Sequence, residues 1–197
     1  ASAKSPAMIY YLNNAQNVVG SANENYAREV MELHTVGVDA GYTDQDIAEL
    51  SKIFTGWHEN NGAFFFDNQA HDSSNKQFLG QTITGGGVEE GEAAISILAR
   101  HPSTANYLCG KLVAFFVADE PKVSLQNRCA TQYLATQGNI TLTLQTIFDS
   151  SEFSLAQVIR EKVKTPLELV IGTARQFSQS VDINRIDDPM SALGMRL

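Results

Sequence analysis

Charged and amide side chains are concentrated in the segment from Ser21 to Gly37, which has the periodicity of an amphipathic helix. At about 100° per residue, its polar side chains form a stripe opposite an apolar face. The stripe consists of Glu24, Arg28, Glu32 and Thr35, with Asn25 and Glu29 beside it. Carboxylates and an arginine at this density can serve acid/base or metal chemistry.

Two interpretations of this face stay open. In the first, Glu29 and Glu32 lie about one helical turn apart and share a metal ion or act as acid and base, with Arg28 tuning their charge. In the second, Arg28 pairs with Glu24 and Glu32 on a solvated surface, which contributes only about 0.2–0.5 kcal/mol per pair. The spacing alone favours the solvated surface.

Histidines supply the other candidate chemistry. His71 and Asp72 are adjacent in the polar loop HDSSNK, where they can join a metal or acid/base site or simply belong to a loop. His34 falls on the apolar side of the first helix, so we expect a buried core residue rather than a ligand. The sequence contains no HExxH, CxxC or EF-hand pattern, so it supplies no metal signature and the cofactor is unknown.

The triple glycine Gly85–Gly87 precedes a predicted helix and invites comparison with a phosphate-binding loop. It lacks the GxxxxGK[ST] frame, and three glutamates of the following turn and a half would repel an anion. These are Glu89, Glu90 and Glu92. We therefore interpret the glycines as a hinge.

Helix caps define the elements that must position these residues. Ser21–Glu24 has the pattern of a capping box, with Gly37 as the left-handed residue that ends its helix. Thr43–Asp46 begins a second helix, and the short connection predicts that the two helices pack as an antiparallel hairpin. Residues 62–67 and 78–84 resemble strands and predict a short β-hairpin or an ordered loop.

The rest of the chain is predicted to be helical. The expected helices are 90–100, 102–117, one capped by Ser124 and ending at Gly138, one following Asn139, and one opened by the capping box Thr165–Glu168. Cys109 and Cys129 fall on facing sides of two of these helices, so a disulfide and a pair of buried thiols are both compatible with the pattern.

Composition narrows the classes of function. Fourteen Lys and Arg against 22 Asp and Glu give a net charge of −8, which argues against nucleic acid as a partner. No apolar run approaches the roughly 18 residues that a membrane span needs. Taken together, the helices predicted above make the fold class mainly α, with seven to eight helices in one domain that spans residues 1–197.

Several stretches, taken in order, resemble one family across nearly the whole chain. They are PAMIYYLNNAQN, NENYAREVMELHTVGVDAGYTDQDI, FTGWHE, HDSSNKQFLG, HPSTANYLCGKL, FVADEP, SSEF and VKTPLELV. This combination is similar to the domain-of-unknown-function-1800 family. The resemblance implies a bacterial and typically exported protein, and it implies that this chain is a fragment of a longer one. It also directs attention to Asn23–Glu29, Glu32, Trp57, His71, Asp72 and Lys76.

Two functional hypotheses follow from the residues and the resemblance together. The first is an exported enzyme, a metal-assisted hydrolase using Glu29, Glu32, His71 and Asp72 with Arg28 as the orienting residue. The second is a non-catalytic envelope or extracellular protein. Its Arg–Glu network is structural, and its exposed aromatic residues bind a protein, glycan or small-molecule partner.

Overall fold

The computed structural model describes residues 2–38, 40–120, 122–155, 163–177 and 187–195. The molecule is mainly α-helical, as predicted, with nine α-helices in these residues, seven of them of seven residues or more, and two short antiparallel β-hairpins. None of the described helices combines the length and apolarity that crossing a bilayer requires.

The elements follow one another along the chain in a simple order. The helices are α1 (Pro6–Tyr11), α2 (Asn25–Glu32), α3 (Asp44–Ile53), α4 (Val88–Ala99), α5 (Pro102–Phe116), α6 (Val123–Ala135), α7 (Ile140–Phe148), α8 (Pro166–Phe177) and α9 (Asp187–Ala192). The strands β1 (Trp57–Asn60), β2 (Ala63–Phe66), β3 (Lys76–Phe78) and β4 (Gln81–Ile83) all lie between α3 and α4.

The predicted start and end of the first acidic helix were wrong. The segment Ser21–Glu24 forms no capping box; Ser21 pairs with Val18 in a bridge, and the Asn23 side-chain Oδ1 accepts from the Asn25 backbone amide just where α2 begins. Because α2 ends at Glu32, the helical periodicity does not extend to His34, which is exposed rather than buried.

Gly37 does adopt the left-handed conformation predicted for it, with φ +85°. Its amide donates to the Met31 carbonyl oxygen, which satisfies a backbone group at the end of α2. The ring of Tyr107 occupies the space that a Cβ would need, so glycine is required here for two independent reasons.

The antiparallel helix hairpin is present. Tyr26 near the start of α2 contacts Phe54 at the end of α3, with ring centroids 5.1 Å apart. The Thr43–Asp46 capping box is formed as predicted, and its Asp46 carboxylate accepts from both the amide and the hydroxyl of Thr43.

The β segment differs from the prediction in its pairing. The strand predicted at residues 62–67 pairs with Trp57–Asn60, and the strand predicted at 78–84 is one arm of a separate hairpin with Lys76–Phe78. The first partner was missed because WHEN, at residues 57–60, has no β-branched residue and no clear alternation of apolar and polar side chains.

Two hydrophobic cores lie on either side of the α4–α5 junction. The first surrounds Trp57 and Phe54 and draws on α2, α3, the hairpins and α4. The second joins α5, α6 and α7 around the disulfide between Cys109 and Cys129, whose Cα atoms are 5.7 Å apart. The Tyr133 hydroxyl links the two parts by donating to the Ala99 carbonyl oxygen at 2.9 Å.

The later helices follow their predicted caps with small shifts. The Asn139 side chain caps α7, the helix predicted to follow it, and the Thr165–Glu168 box opens α8. Both α4 and α6 begin one or two residues earlier than predicted, at Val88 and Val123.

Candidate functional site

The acidic face of α2 has the geometry of a paired, partly solvated surface. Arg28 contacts Glu24 at 3.2 Å and Glu32 at 3.3 Å, and 39% of the Arg28 side chain is exposed. Burial alone would lower the pKa of Arg28, but its pairs with Glu32 and Glu24 raise that pKa overall. Glu29 is half-buried, and its carboxylate has no ion pair within the described residues.

His71 lies in a different place, inside the loop that connects β2 and β3. Only 6% of the residue is exposed. Its Nδ1 lies 2.8 Å from the Thr55 carbonyl oxygen, and the Phe66 ring packs against the imidazole with centroids 5.2 Å apart. The loop is therefore built around a buried imidazole.

Asp72 is adjacent to His71 but serves other partners. Its carboxylate accepts from the Ser74 amide and hydroxyl at 2.9 and 2.6 Å, while its own amide donates to the Thr55 hydroxyl. Burial by itself raises the pKa of Asp72; the Ser74 hydrogen bonds and the charges of Lys76 and Lys52 outweigh it and lower that pKa overall. No hydrogen bond joins Asp72 to the imidazole within the described residues.

The partner of His71 is Glu90, on the first turn of α4. The two side chains meet at 3.3 Å between Nε2 and Oε1, and Oε2 accepts from the Lys76 ammonium at 2.6 Å. Lys76 is fully buried and Glu90 is 2% exposed. Lys76 also donates to the Asp72 carbonyl oxygen, and the Gly86 amide donates to Glu90 Oε1 at 2.8 Å. We call His71, Lys76 and Glu90 the buried ionic cluster.

The hydrogen bonds of this cluster define which of its atoms donate and which accept. The Thr55 carbonyl can only accept, so His71 Nδ1 carries a proton. Both oxygens of Glu90 are engaged by protein groups: Oε1 accepts from the Gly86 amide and Oε2 from the Lys76 ammonium.

Sequence reasoning did not identify this cluster. The resemblance singled out His71 and Lys76, but Glu90 was grouped with Glu89 and Glu92 as an acidic helix start. The signal that could have identified it is the preceding glycine run, which brings the Gly86 amide back onto the Glu90 carboxylate. No contact joins Arg28, Glu29 or Glu32 to the cluster in the described residues, so the structure does not assemble the predicted site as one unit.

The described part of the chain contains no preformed metal-binding site. No three His, Cys, Asp or Glu side chains come together there as a metal site would require. The catalytic roles assigned to Glu29, Glu32, Arg28, His71 and Asp72 remain predictions.

A groove of about 720 Å³ opens beside the cluster. One wall is β4 with its flanking residues, the other is a face of α4, and the first residues of α5 close the end. The groove is lined by Leu79, Gln81, Thr82, Ile83, Thr84, Gly86, Glu89, Glu90, Ala93, Ser96, Ile97, Arg100, His101 and Pro102. We call it the α4 groove. Its volume lies in the range of ligand-binding sites.

Charge is distributed unevenly along the α4 groove. Glu89 lies at one end of α4 and Arg100 at the other, and neither has an ion pair within the described residues. Between them, Ala93 and Ser96 present short side chains that leave the groove open. An elongated ligand with opposite charges at its two ends would complement this arrangement.

Comparison with known proteins places the chain in a family. No curated protein and no solved structure matches it. The family model described as "Protein of unknown function (DUF1800)" matches residues 1–197, the full length of the chain. This chain therefore belongs to the DUF1800 family.

Proposed function

We propose that this chain is a non-catalytic binding domain of an exported bacterial protein, with the α4 groove as its binding site and the buried ionic cluster as a structural element. The observation that supports this proposal is the groove itself, whose two walls are connected through the cluster. Glu90 belongs to both the groove and the cluster, and Gly86, which also lines the groove, donates its amide to Glu90. A buried network with all its partners in place rigidifies a site without taking part in chemistry.

Two further points support export and binding. The Cys109–Cys129 bond is of the kind that persists in oxidising compartments. Tyr10 and Tyr11, which are 75% and 80% exposed on α1, offer aromatic surface for additional contacts, as the sequence hypothesis expects of a binding protein.

Photocrosslinking in the source bacterium tests the proposal. A benzophenone amino acid replaces Ser96 inside the groove or, as a control, Gln145 on the exposed surface of α7. We expect a discrete crosslinked product from the Ser96 position that disappears when Ala93→Arg fills the groove. No product at Ser96, or the same products at Gln145, would refute a binding role for the groove.

A metal-assisted hydrolase is the second candidate. The observation in its favour is the His71–Glu90 pair at the edge of the groove, since buried titratable pairs in clefts are common in catalytic sites. Stoichiometric metal in protein purified without chelators, together with hydrolysis of ester, amide or phosphate substrates that Glu90→Gln abolishes while the fold is retained, would favour this candidate over the first.

A further inference from the structure

The β3–β4 hairpin has two outer edges, and its register determines which backbone groups they present. Phe78 and Gln81 flank the two-residue turn and pair with each other, Gln77 faces Thr82, and Lys76 faces Ile83. In an antiparallel hairpin with a two-residue turn, alternate pairs exchange hydrogen bonds, beginning with the pair beside the turn. The N–H and C=O of Gln77 and of Thr82 therefore point away from the hairpin.

Helix α3 covers the outer edge of β3. The Gln77 amide donates to Glu49 Oε2 at 3.0 Å, and the Leu79 amide donates to Asp46 Oδ1 at 2.9 Å. These two bonds agree with the register, since both amides lie on the side that faces away from β4. The β3 edge is therefore closed to any other strand.

The outer edge of β4 is open. The Thr82 backbone has no hydrogen bond to a described residue outside the hairpin, and every residue from Gln81 to Thr84 borders the α4 groove. Consecutive residues of a strand line a cavity together when the strand turns its edge toward it. An open edge with unpaired N–H and C=O groups is a template for a further strand.

The opposite wall fits an extended chain. Glu89, Ala93, Ser96 and Arg100 recur at helical spacing on one face of α4. The span from Glu89 to Arg100 is about 16 Å at 1.5 Å per residue, the length of about five residues of β-strand. Short side chains in the middle of this face leave room for a strand beside β4.

We propose that the free edge of β4 binds an extended peptide segment of another protein, which adds a third strand to the hairpin inside the α4 groove. The peptide carries a basic residue toward Glu89 and a carboxylate toward Arg100, with small or branched residues between. This inference rests on the proposed binding role of the groove and names the class of its ligand.

Two observations favour a peptide over other occupants. Among the described lining residues there is no Trp, Tyr or Phe, the side chains on which sugar rings stack, so a glycan has little to bind. A second copy of the chain pairing through its own β4 would bring Gln81, Thr82 and Ile83, which carry no charge to meet Glu89 or Arg100. The charges at the two ends therefore select a different partner.

A proline substitution isolates the backbone contribution. Thr82→Pro removes the outward N–H without removing a hydrogen bond of the hairpin, because this N–H does not face β3. Thr82→Val keeps the N–H and, like the proline variant, loses the side-chain contact with Gln77. The two variants therefore differ in the outward backbone N–H of residue 82, which is the donor that the proposed peptide requires.

The probe is the hexapeptide Ac-Lys-Thr-Val-Thr-Val-Asp-NH₂, titrated into ¹⁵N-labelled full chain to millimolar concentration. Its reverse sequence covers the opposite strand direction, and a version N-methylated at the central residues removes the donors of the peptide. We expect at least one of the two directions to shift the Thr82 amide. Affinity should fall about three- to tenfold in Thr82→Pro, as the loss of one backbone hydrogen bond predicts, and remain unchanged in Thr82→Val.

Three results would overturn strand addition: equal binding to both variants, equal binding of the N-methylated peptide, or no binding of either direction. A dimer that Thr82→Pro abolishes would assign the edge to a second copy instead. The crosslink at Ser96 keeps the two proposals separate. If it persists in Thr82→Pro, the groove binds a ligand by another mode, and if it never forms, the binding role itself fails.

Discussion

Lys76 is the residue whose environment most strongly limits what can replace it. Its ammonium group is fully buried and depends on one carboxylate, Glu90, at 2.6 Å, and on the Asp72 carbonyl oxygen. Removing one member of a buried pair leaves the other charge uncompensated, whereas removing both relieves that cost. If the buried ionic cluster is structural, it should show this asymmetry.

We expect Lys76→Met to lower the free energy of unfolding by about 3–5 kcal/mol, because it removes the ammonium and leaves the buried Glu90 carboxyl with only His71 and the Gly86 amide as partners. The double variant Lys76→Met/Glu90→Gln should be more stable than the sum of the single effects predicts. Urea unfolding followed by the fluorescence of Trp57, the only tryptophan, measures all four proteins. Additive single effects would show that the pair is not coupled.

At this scale the sequence predicted residue identities better than it predicted their surroundings. His71 and Lys76 were singled out by resemblance, yet their common partner Glu90 lies 19 and 14 positions away. No periodicity connects a loop, a strand and a helix start, because only the two hairpins bring them together. His34 failed for a local reason, since helical spacing was applied beyond the residue at which α2 ends.

Among the elements, α5 and α6 are joined by a covalent bond as well as by packing. Cys109 and Cys129 are both fully buried within the second hydrophobic core, and 20 positions separate them. A crosslink of this loop length stabilises by about 3 kcal/mol in the chain-entropy description. Breaking this bond therefore tests the tertiary packing of α5, α6 and α7 without changing a residue of the first core.

Reduction of the bond, or the double substitution Cys109→Ala/Cys129→Ala, should lower the free energy of unfolding of the α5–α7 part by about 2–4 kcal/mol. Circular dichroism during urea unfolding follows the helices of the whole chain, Trp57 fluorescence follows the first core alone, and mass spectrometry after thiol alkylation confirms the bonding state. The reduced wild type serves as a control for the cavities that alanine leaves. Equal stability of oxidised and reduced protein would contradict a stabilising role.

Three helices with a local cap were predicted well, whereas the capping box expected at Ser21–Glu24 did not form and the strand pairing was not predicted. The caps at Thr43, Asn139 and Thr165 act within three residues, so the sequence contains their complete signal. The pairing of β1 with β2 and of β3 with β4 depends on which strands pack on α3 and α4. That information is spread over the chain from α3 to α4, and the sequence predicted a short hairpin or ordered loop near residues 62–84 without distinguishing one hairpin from the two that form.

On the scale of the whole molecule, carboxylates attach the β3–β4 hairpin to the helical core. Asp46 accepts from the Leu79 amide and Glu49 from the Gln77 amide. Burial raises the pKa of each carboxyl, but the Thr43 and Leu79 bonds to Asp46, and the Lys52, Gln77 and Gln45 bonds to Glu49, lower both pKa values overall. Asp72 behaves in the same way in the adjoining loop.

Since these three pKa values are lower in the folded state than in the unfolded chain, the unfolded chain binds more protons as the solution is acidified. Their stabilisation is complete above the ordinary carboxyl values near pH 4 and is lost as the pH falls through the lower, folded values. Below that point the 14 Lys and Arg and four His also leave the molecule strongly positive, which adds repulsion.

We therefore expect the free energy of unfolding to be level from pH 7 to about pH 5 and to fall steeply below about pH 4. The triple variant Asp46→Asn/Glu49→Gln/Asp72→Asn should be less stable at pH 7 and should lose less on acidification, because its amides bind no protons in either state. Urea titrations at each pH, read by Trp57 fluorescence, give both curves. Parallel curves would show that acid acts through general charge repulsion, and the attachment of the hairpin by carboxylates would then have no part in the acid sensitivity.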